Sequence, residues 1–180
     1  MNTDISLSYP VGKFNAPARI TPDQLEGWIN EIASFPGELA ALTKDLGHPQ
    51  VNWRYRPGGW TIKQVVHHCA DSHMNSLMRF KLALTEDTPA IRPYLEDRWA
   101  ELPDSLGDDL SHSLMILSGL HARWALLLRS LTSDQLGRRF VHPEHNREFT
   151  LRETIGTYAW HGRHHLAHIK QALKAAGAYN

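Results

Sequence analysis

Apolar residues recur at intervals of three and four along four long segments of the chain, a spacing typical of helices with one buried face. The four helices are predicted at about 22–46, 62–84, 110–131 and 151–176. Strand-like alternation is sparse, although residues 138–150 favour a short hairpin around Pro143–Asn146. The pattern therefore predicts one all-α domain over 1–180, a four-helix bundle with a short hairpin before its last helix.

Local signals mark the ends of these helices. Thr21-Pro22 is typical of an N-cap followed by a proline in the first turn. Thr61–Gln64 and Thr150–Glu153 have the capping-box pattern, and Gly177 follows the last helix at its C-terminal end. Pro36 is predicted to break or kink the first helix, because proline has no N–H to donate.

Two stretches lack helical periodicity. Residues 1–20 are predicted to form an extended N-terminal arm, whose apolar Tyr9, Val11 and Phe14 need a surface to pack on. Residues 85–110 are predicted to form a long connection, which leaves room for a crossover between helices.

Composition narrows the function classes. Basic and acidic side chains number 19 each, and no basic stripe is present, which argues against nucleic acid as a partner. No apolar run approaches the roughly 20 residues that cross a bilayer, and residues 1–17 do not resemble a signal peptide, so a cytoplasmic protein is expected. A single cysteine, Cys69, excludes a disulfide framework and a thiolate zinc cluster.

Histidine is abundant, with 12 residues, and four of them fall within 161–168. His161 and His165 are four residues apart, so they lie one turn apart on one flank of the apolar stripe and can converge on one ion. The glutamate of the H-E-x-x-H metalloproteases is missing between them, which excludes that class. His168 continues the same flank, whereas His164 lies nearly opposite the buried face and is predicted to be exposed.

The second helix offers candidates for a third ligand, which a catalytic metal usually needs. His67 falls on the polar side and is predicted to be solvated. His68 lies on a flank of the apolar face, and His73 points into that face, where a core histidine with one hydrogen-bond partner is expected. Periodicity leaves both His68 and His73 open as the third ligand. A site on the flanks would lie in a cleft between helices that substrate can enter.

The chain resembles the YfiT group of the DinB-like superfamily. The similar segments are GGWTIKQVVHHCADSHMNSLMRFKLALTEDTPAIRPY (58–94), YAWHGRHHLAHI (158–169) and LSYPVGKF (7–14). They share a Trp-Thr helix start, a histidine eight residues after the tryptophan, and H-x-x-x-H on the last helix. The resemblance covers nearly the whole chain and implies a four-helix bundle in up-down-down-up order.

The resemblance also implies a metal site. The family's metal-ligand positions correspond to His68, eight residues after the tryptophan, and to His161 and His165. They imply one divalent ion per chain, zinc or nickel, with water in the open positions, and a homodimeric protein. The group usually has leucine after the first ligand, where this chain has Cys69, and we expect a buried structural thiol there rather than an extra ligand.

Three functions are compatible with such a site. The first is metal-dependent hydrolysis of a small-molecule substrate, because an open three-histidine site activates water. The second is metal-dependent transfer of a low-molecular-weight thiol, of the bacillithiol or mycothiol type, to an electrophile, as in relatives within the superfamily. The third is a non-catalytic binding module that the metal stabilises.

Residues beyond the ligands are weaker candidates. Asp71 and Asn75 follow His68 on its helix and could support the ligands through hydrogen bonds. No general base is identified, although Asp71 and Glu153 are considered. The segment 92–99 could form a wall of the site through Arg92, Tyr94 or Trp99.

Overall fold

The computed structural model describes residues 3–180, with side chains from residue 6 onward. In chain order its helices are α1 (Thr3–Ser8), α2 (Pro22–Thr43), α3 (His48–Val51), α4 (Ile62–Thr85), α5 (Glu96–Trp99), α6 (Ser111–Ser130), α7 (Ser133–Leu136) and α8 (Leu151–Ala175). Strands β1 (Arg139–His142) and β2 (Arg147–Thr150) form an antiparallel hairpin between α7 and α8. The four predicted long helices and the predicted hairpin are confirmed.

The long helices begin where the capping signals stand. Thr21 accepts a hydrogen bond from the Gln24 N–H, and Thr61 and Gln64 bond each other's backbone in a complete capping box. At Thr150 only half of the predicted box forms, because the carboxylate of Glu153 pairs with Arg147. These side chains satisfy N–H groups that a helix start leaves without partners.

The four long helices form the bundle. Both α2 and α4 pack mainly against α6 and α8, so α2 and α4 lie at opposite corners. Helices α2 and α8 run parallel, because Trp28 contacts Gly156 and Phe35 contacts Gly162. Helices α4 and α6 are also parallel, with His67 against Ser113 and His73 against His121. Helices α4 and α8 are antiparallel, since His68 contacts His161 and Ser72 contacts Tyr158. The helices therefore run up, down, down and up in chain order, as expected.

The core consists of two apolar clusters, one toward each end of the bundle. One contains Trp124 and Phe80, and the other contains Phe35 and Cys69. The rings of His73 and His121 contact both Phe35 and Trp124, so they lie where the clusters meet. Imidazole groups are thus built into the middle of the core.

Two local predictions are partly wrong. The first is an extended arm over 1–20. Residues 1 and 2 lie outside the described residues and residues 9–20 have neither helix nor strand, but residues 3–8 form α1, whose last carbonyls at Leu7 and Ser8 accept hydrogen bonds from Gln171 and His168 on α8. The second concerns Pro36, for which a break or a kink is predicted: the break is wrong, because α2 continues through Pro36 to Thr43.

Part of the apolar surface of the N-terminal segment is covered. Phe14 packs edge-on against Trp28, with ring centroids 6.2 Å apart, and the indole N–H of Trp160 donates to the carbonyl of Gly12. Tyr9 and Val11 remain 38% and 41% exposed. Within residues 3–180, no helix is long and apolar enough to cross a lipid bilayer.

Candidate metal centre

Three imidazole nitrogens converge at the cleft between α4 and α8. The Nε2 atom of His161 lies 3.3 Å from Nε2 of His68 and 3.2 Å from Nε2 of His165. The pair on α8 meets because one helical turn separates its members, and the antiparallel α4 brings in His68. The structure thereby brings together the three residues that the resemblance implied, and they could hold a metal ion.

The spacing and chemistry of these nitrogens suit a divalent cation. Nitrogens bound to one tetrahedral zinc at about 2.0–2.1 Å lie about 3.3 Å from one another. Burial lowers the pKa of His68 to about 4 and lowers the pKa values of His161 and His165 well below the usual range, with neighbouring histidines acting in the same direction. At neutral pH the cluster therefore offers lone pairs, which zinc and nickel accept.

His73 is buried, as predicted, but it has two hydrogen-bond partners instead of one. Its Nε2 lies 2.9 Å from Nδ1 of His161, and its Nδ1 lies 2.7 Å from Nε2 of His121. His73 therefore contacts a proposed ligand through that ligand's second nitrogen.

His121, which is 1% exposed on α6, is not among the residues predicted from the sequence. A signal was available, because His121 lies four residues after Leu117 and three before Trp124, within the apolar stripe.

The prediction that His164 is exposed is wrong. The side chain is buried because Trp160 stacks on it, with centroids 4.6 Å apart, and Tyr9 of the N-terminal segment covers it. Helical periodicity describes only the helix itself and cannot anticipate a cover supplied by residues far away in the chain.

His168 is also buried, with its ring stacked on Tyr55 at 3.8 Å. Its Nδ1 lies 3.4 Å from Nδ1 of His165, and its Nε2 lies 3.2 Å from the carbonyl oxygen of Ser8. His168 is thus a direct neighbour of one proposed ligand. The trio of His164, His165 and His168 also has the spacing of a possible metal site, which shares His165 with the first.

The prediction that His67 is solvated is wrong as well. Its Nδ1 lies 2.8 Å from the hydroxyl of Ser113, and its Nε2 lies 2.9 Å from the carbonyl of Gly107. The long connection before α6 covers this side of α4, and His67 holds the connection in place.

The remaining candidates, Asp71, Asn75 and Cys69, are not part of the three-histidine cluster. Asp71 borders a separate cavity with His67 and Asp104, and burial, with a contribution from Asp104, raises its pKa to about 6. The amide of Asn75 donates to the backbone carbonyl of Asp71. Cys69 is a buried thiol in an apolar cluster, as expected, and burial raises its pKa.

Two cavities meet at His161. A cavity of about 370 Å³ is bordered by His68, His161 and His165, together with aromatic rings that include Trp60 and Tyr55. A larger one, of about 820 Å³, extends from His161 past Tyr158 toward the hairpin. All three proposed ligands therefore line a cavity that is open to solvent and can hold small organic molecules.

The segment 92–99 contributes to these cavities through residues that were only partly predicted. Tyr94 borders the larger cavity, whereas Arg92 and Trp99 are not among the described residues that line either cavity. Trp99 packs on the ring of Tyr94 at 4.5 Å. Glu96 and Asp97, which reasoning from sequence did not single out, border both cavities.

Comparison with known proteins agrees with this architecture. A sequence model of the DinB superfamily matches residues 32–169. The chain is 47% identical over 175 residues to "Putative metal-dependent hydrolase YfiT" of Bacillus subtilis strain 168, covering 97% of this chain and 98% of that protein. It is 53% identical over 169 residues to "Putative metal-dependent hydrolase" of Bacillus cereus strain 03BB102, covering 93% and 96%.

A solved structure is similar as well. YfiT from Bacillus subtilis, described as a probable metal-dependent hydrolase with an unusual four-helix bundle topology, superposes with a TM-score of 0.92. The match has 47% sequence identity and covers 96% of this chain and 98% of the other. The resemblance to the YfiT group and the four-helix bundle are both confirmed.

Proposed function

The chain belongs to the DinB superfamily, and we propose that it is a metal-dependent hydrolase that binds one zinc or nickel ion through His68, His161 and His165 and acts on a small-molecule substrate. The observation that supports this most strongly is the convergence of three neutral imidazole nitrogens, 3.2 and 3.3 Å apart, on the wall of an accessible cavity.

A divalent ion held by His68, His161 and His165 would polarise a carbonyl or phosphoryl oxygen and would make water nucleophilic at neutral pH. The chain's own residues bind and orient the substrate. The cavity of about 820 Å³ has apolar walls at Phe140 and Phe149 and a cation at Arg79, which suits a substrate with an apolar body and an anionic or carbonyl group. Glu96 borders both cavities and is the carboxylate that we assign to hold or release a proton during turnover.

Metal analysis and a hydrolysis panel test this proposal together. The purified protein is expected to contain one zinc or nickel per chain, which His68→Ala and His161→Ala lose and the exposed-site control His112→Ala retains. The metal-loaded protein is expected to hydrolyse at least one member of an ester, amide and phosphoester panel, with Glu96→Gln lowering kcat. Stoichiometric metal in both ligand variants would refute the site, and a loaded protein inactive on the whole panel would refute the hydrolase.

Thiol transfer is the second candidate, and the meeting of two cavities at His161 is the observation that favours it. Hydrolysis needs one organic substrate, whereas transfer needs a thiol and an electrophile side by side. A metal held by the three histidines would lower the pKa of a bound thiol and so favour the thiolate. Metal-dependent consumption of bacillithiol or mycothiol with a chlorinated or epoxide substrate, without hydrolysis of that substrate, would select this function.

The third alternative, a non-catalytic module, predicts a metal enclosed by protein. The cavities at the proposed ligands favour an enzyme over that alternative. A protein whose His161→Ala variant loses thermal stability, and which shows no turnover by either test, would instead support the module.

We also propose that the chain forms a homodimer through the outer face of α4 and α6. This face exposes large apolar side chains on both helices, including Met78 at 51%, Met115 at 62% and Leu126 at 74%. Several large apolar side chains exposed on neighbouring helices are typical of an association surface. Sedimentation should show a dimer that Leu126→Glu dissociates, and a wild-type protein that remains monomeric at micromolar concentration would refute the proposal.

A further inference from the structure

A line of buried hydrogen bonds connects a proposed metal ligand on α8 to the backbone of α2. It runs from His161 Nδ1 to His73 Nε2 (2.9 Å), from His73 Nδ1 to His121 Nε2 (2.7 Å), and from His121 Nδ1 to the carbonyl oxygen of Ile32 (2.6 Å). His73 and His121 are each 1% exposed. The line therefore crosses the core from α8 through α4 and α6 to α2.

The carbonyl at the end of this line is available because of Pro36. In an α-helix the carbonyl of residue 32 accepts a hydrogen bond from the N–H of residue 36. Residue 36 of α2 is a proline, which has no N–H, so the usual helical partner of the Ile32 carbonyl is missing. His121 Nδ1 supplies a donor to that carbonyl instead.

The direction of every hydrogen bond in the line follows from this end. A carbonyl only accepts, so His121 must carry its proton on Nδ1, and its neutral ring then accepts at Nε2. His73 must therefore donate from Nδ1 and accept at Nε2, which requires His161 to donate from Nδ1. The Nε2 atom of His161 is left with a lone pair, at the point where it meets His68 and His165.

His165 has a shorter line of the same kind. Nε2 of His168 donates to the carbonyl of Ser8 (3.2 Å), so His168 Nδ1 accepts from His165 Nδ1 (3.4 Å) and leaves Nε2 of His165 as a lone pair. Each proposed ligand on α8 is thus oriented through a second histidine, and each line of hydrogen bonds ends at a backbone carbonyl.

We propose that His73 and His121 are positioning residues that, anchored on the Ile32 carbonyl freed by Pro36, fix His161 in the Nδ1–H tautomer and keep its Nε2 available to the metal. This inference rests on the proposed metal site. Partners of this type orient metal-bound histidines, and their loss typically costs about 10- to 100-fold in metal affinity. The proposal gives a role to a proline inside α2, a long helix that supplies none of the proposed ligands.

Nitrogen-15 NMR of the histidine rings in the metal-free protein tests the tautomers directly. His73, His121 and His161 are expected to show protonated Nδ1 and unprotonated Nε2. In His121→Phe, which keeps a ring of similar shape but no nitrogen, the His161 ring is expected to become a mixture of tautomers. A protonated Nε2 on His161 in the wild-type protein would overturn the proposal. This readout needs neither metal nor activity, so it is independent of whether the hydrolase proposal holds.

Zinc affinity gives a second readout with matched controls. His121→Phe is expected to bind zinc about 10- to 100-fold more weakly, and Pro36→Ala about 10-fold more weakly, because the new N–H competes for the Ile32 carbonyl. Pro36→Ala should also raise thermal stability, since alanine suits a helix interior better than proline, so its loss of affinity cannot come from unfolding.

Pro22→Ala in the first turn of the same helix and Trp124→Phe beside His121 should both leave affinity within about twofold. Unchanged zinc affinity in His121→Phe would overturn the positioning role of His73 and His121, and unchanged zinc affinity in Pro36→Ala would overturn the role of the proline.

Discussion

Acid should destabilise the metal-free bundle through His121. Burial lowers the pKa of this imidazole in the folded protein from 6.5 to about 4, despite its hydrogen bond to the Ile32 carbonyl. Below pH 6.5 the unfolded chain therefore binds a proton at this position that the folded protein does not bind. Stability falls wherever the unfolded state binds more protons and pH decreases, so the loss begins near pH 6.5 and continues toward pH 4.

The size of the effect follows from the two pKa values. At pH 7.5 the imidazole is neutral in both states and contributes almost nothing to the pH dependence. At pH 5 it is protonated in the unfolded chain and still neutral in the folded one, which lowers the free energy of unfolding by about 2 kcal/mol. This is a large part of the roughly 5–15 kcal/mol by which domains are usually stable.

Urea titration of the metal-free protein at pH 7.5 and pH 5, followed by circular dichroism, measures this term. The matched variants are His121→Phe in the core and His112→Phe, whose histidine is exposed on the same helix. Wild type and His112→Phe should lose about 2 kcal/mol more than His121→Phe between the two pH values, about 1 M urea for a slope of about 2 kcal/mol/M. Equal losses in all three proteins would refute the reasoning.

One labelling experiment and four substitutions test the packing. The Cys69 thiol should resist alkylation at pH 8 in the native protein and react only after unfolding, because burial raises its pKa, and rapid native labelling would contradict the buried assignment. Leu117→Ala should cost about 2–5 kcal/mol in chemical unfolding, whereas Leu102→Ala, at a position 48% exposed in the connection before α6, should change the free energy of unfolding by less than about 0.5 kcal/mol. Gly156→Ala would place a methyl group 2.7–2.9 Å from two aromatic rings and should destabilise by about 1–3 kcal/mol. Gly119→Ala, with nothing within 4 Å, should stabilise by up to about 1 kcal/mol, and a lower Tm there would show that helix propensity does not govern the site.

Much of the fold could be predicted because it depends on local rules. The period of apolar residues gives the four long helices, and Thr21, Thr61 and Thr150 mark three of their starts through hydrogen bonds to residues three positions on. The hairpin follows from its turn, where Asn146 adopts a left-handed conformation with φ of 45°. The set of metal ligands could not be predicted from local rules, because periodicity left both His68 and His73 open as the third ligand and only family resemblance favoured His68.

The errors have a common physical cause, which is cover supplied by distant parts of the chain. His164 and His67 lie on faces that a single helix would present to solvent, yet Tyr9 and Gly107 belong to segments that close over them. Pro36 is a related case, because its role also depends on a distant residue: sequence predicts only its local effect on the helix. Its consequence, the hydrogen bond between His121 and Ile32, joins residues 89 positions apart and exists only in the folded bundle.

The most direct test of the metal site is an anomalous-difference map from crystals of the zinc- or nickel-loaded protein, recorded at the absorption edge of that metal. We predict one peak per chain at about 2.0–2.1 Å from the Nε2 atoms of His68, His161 and His165. A peak held by His164 and His168 instead, or no peak near His68 in crystals that contain stoichiometric metal, would contradict the account.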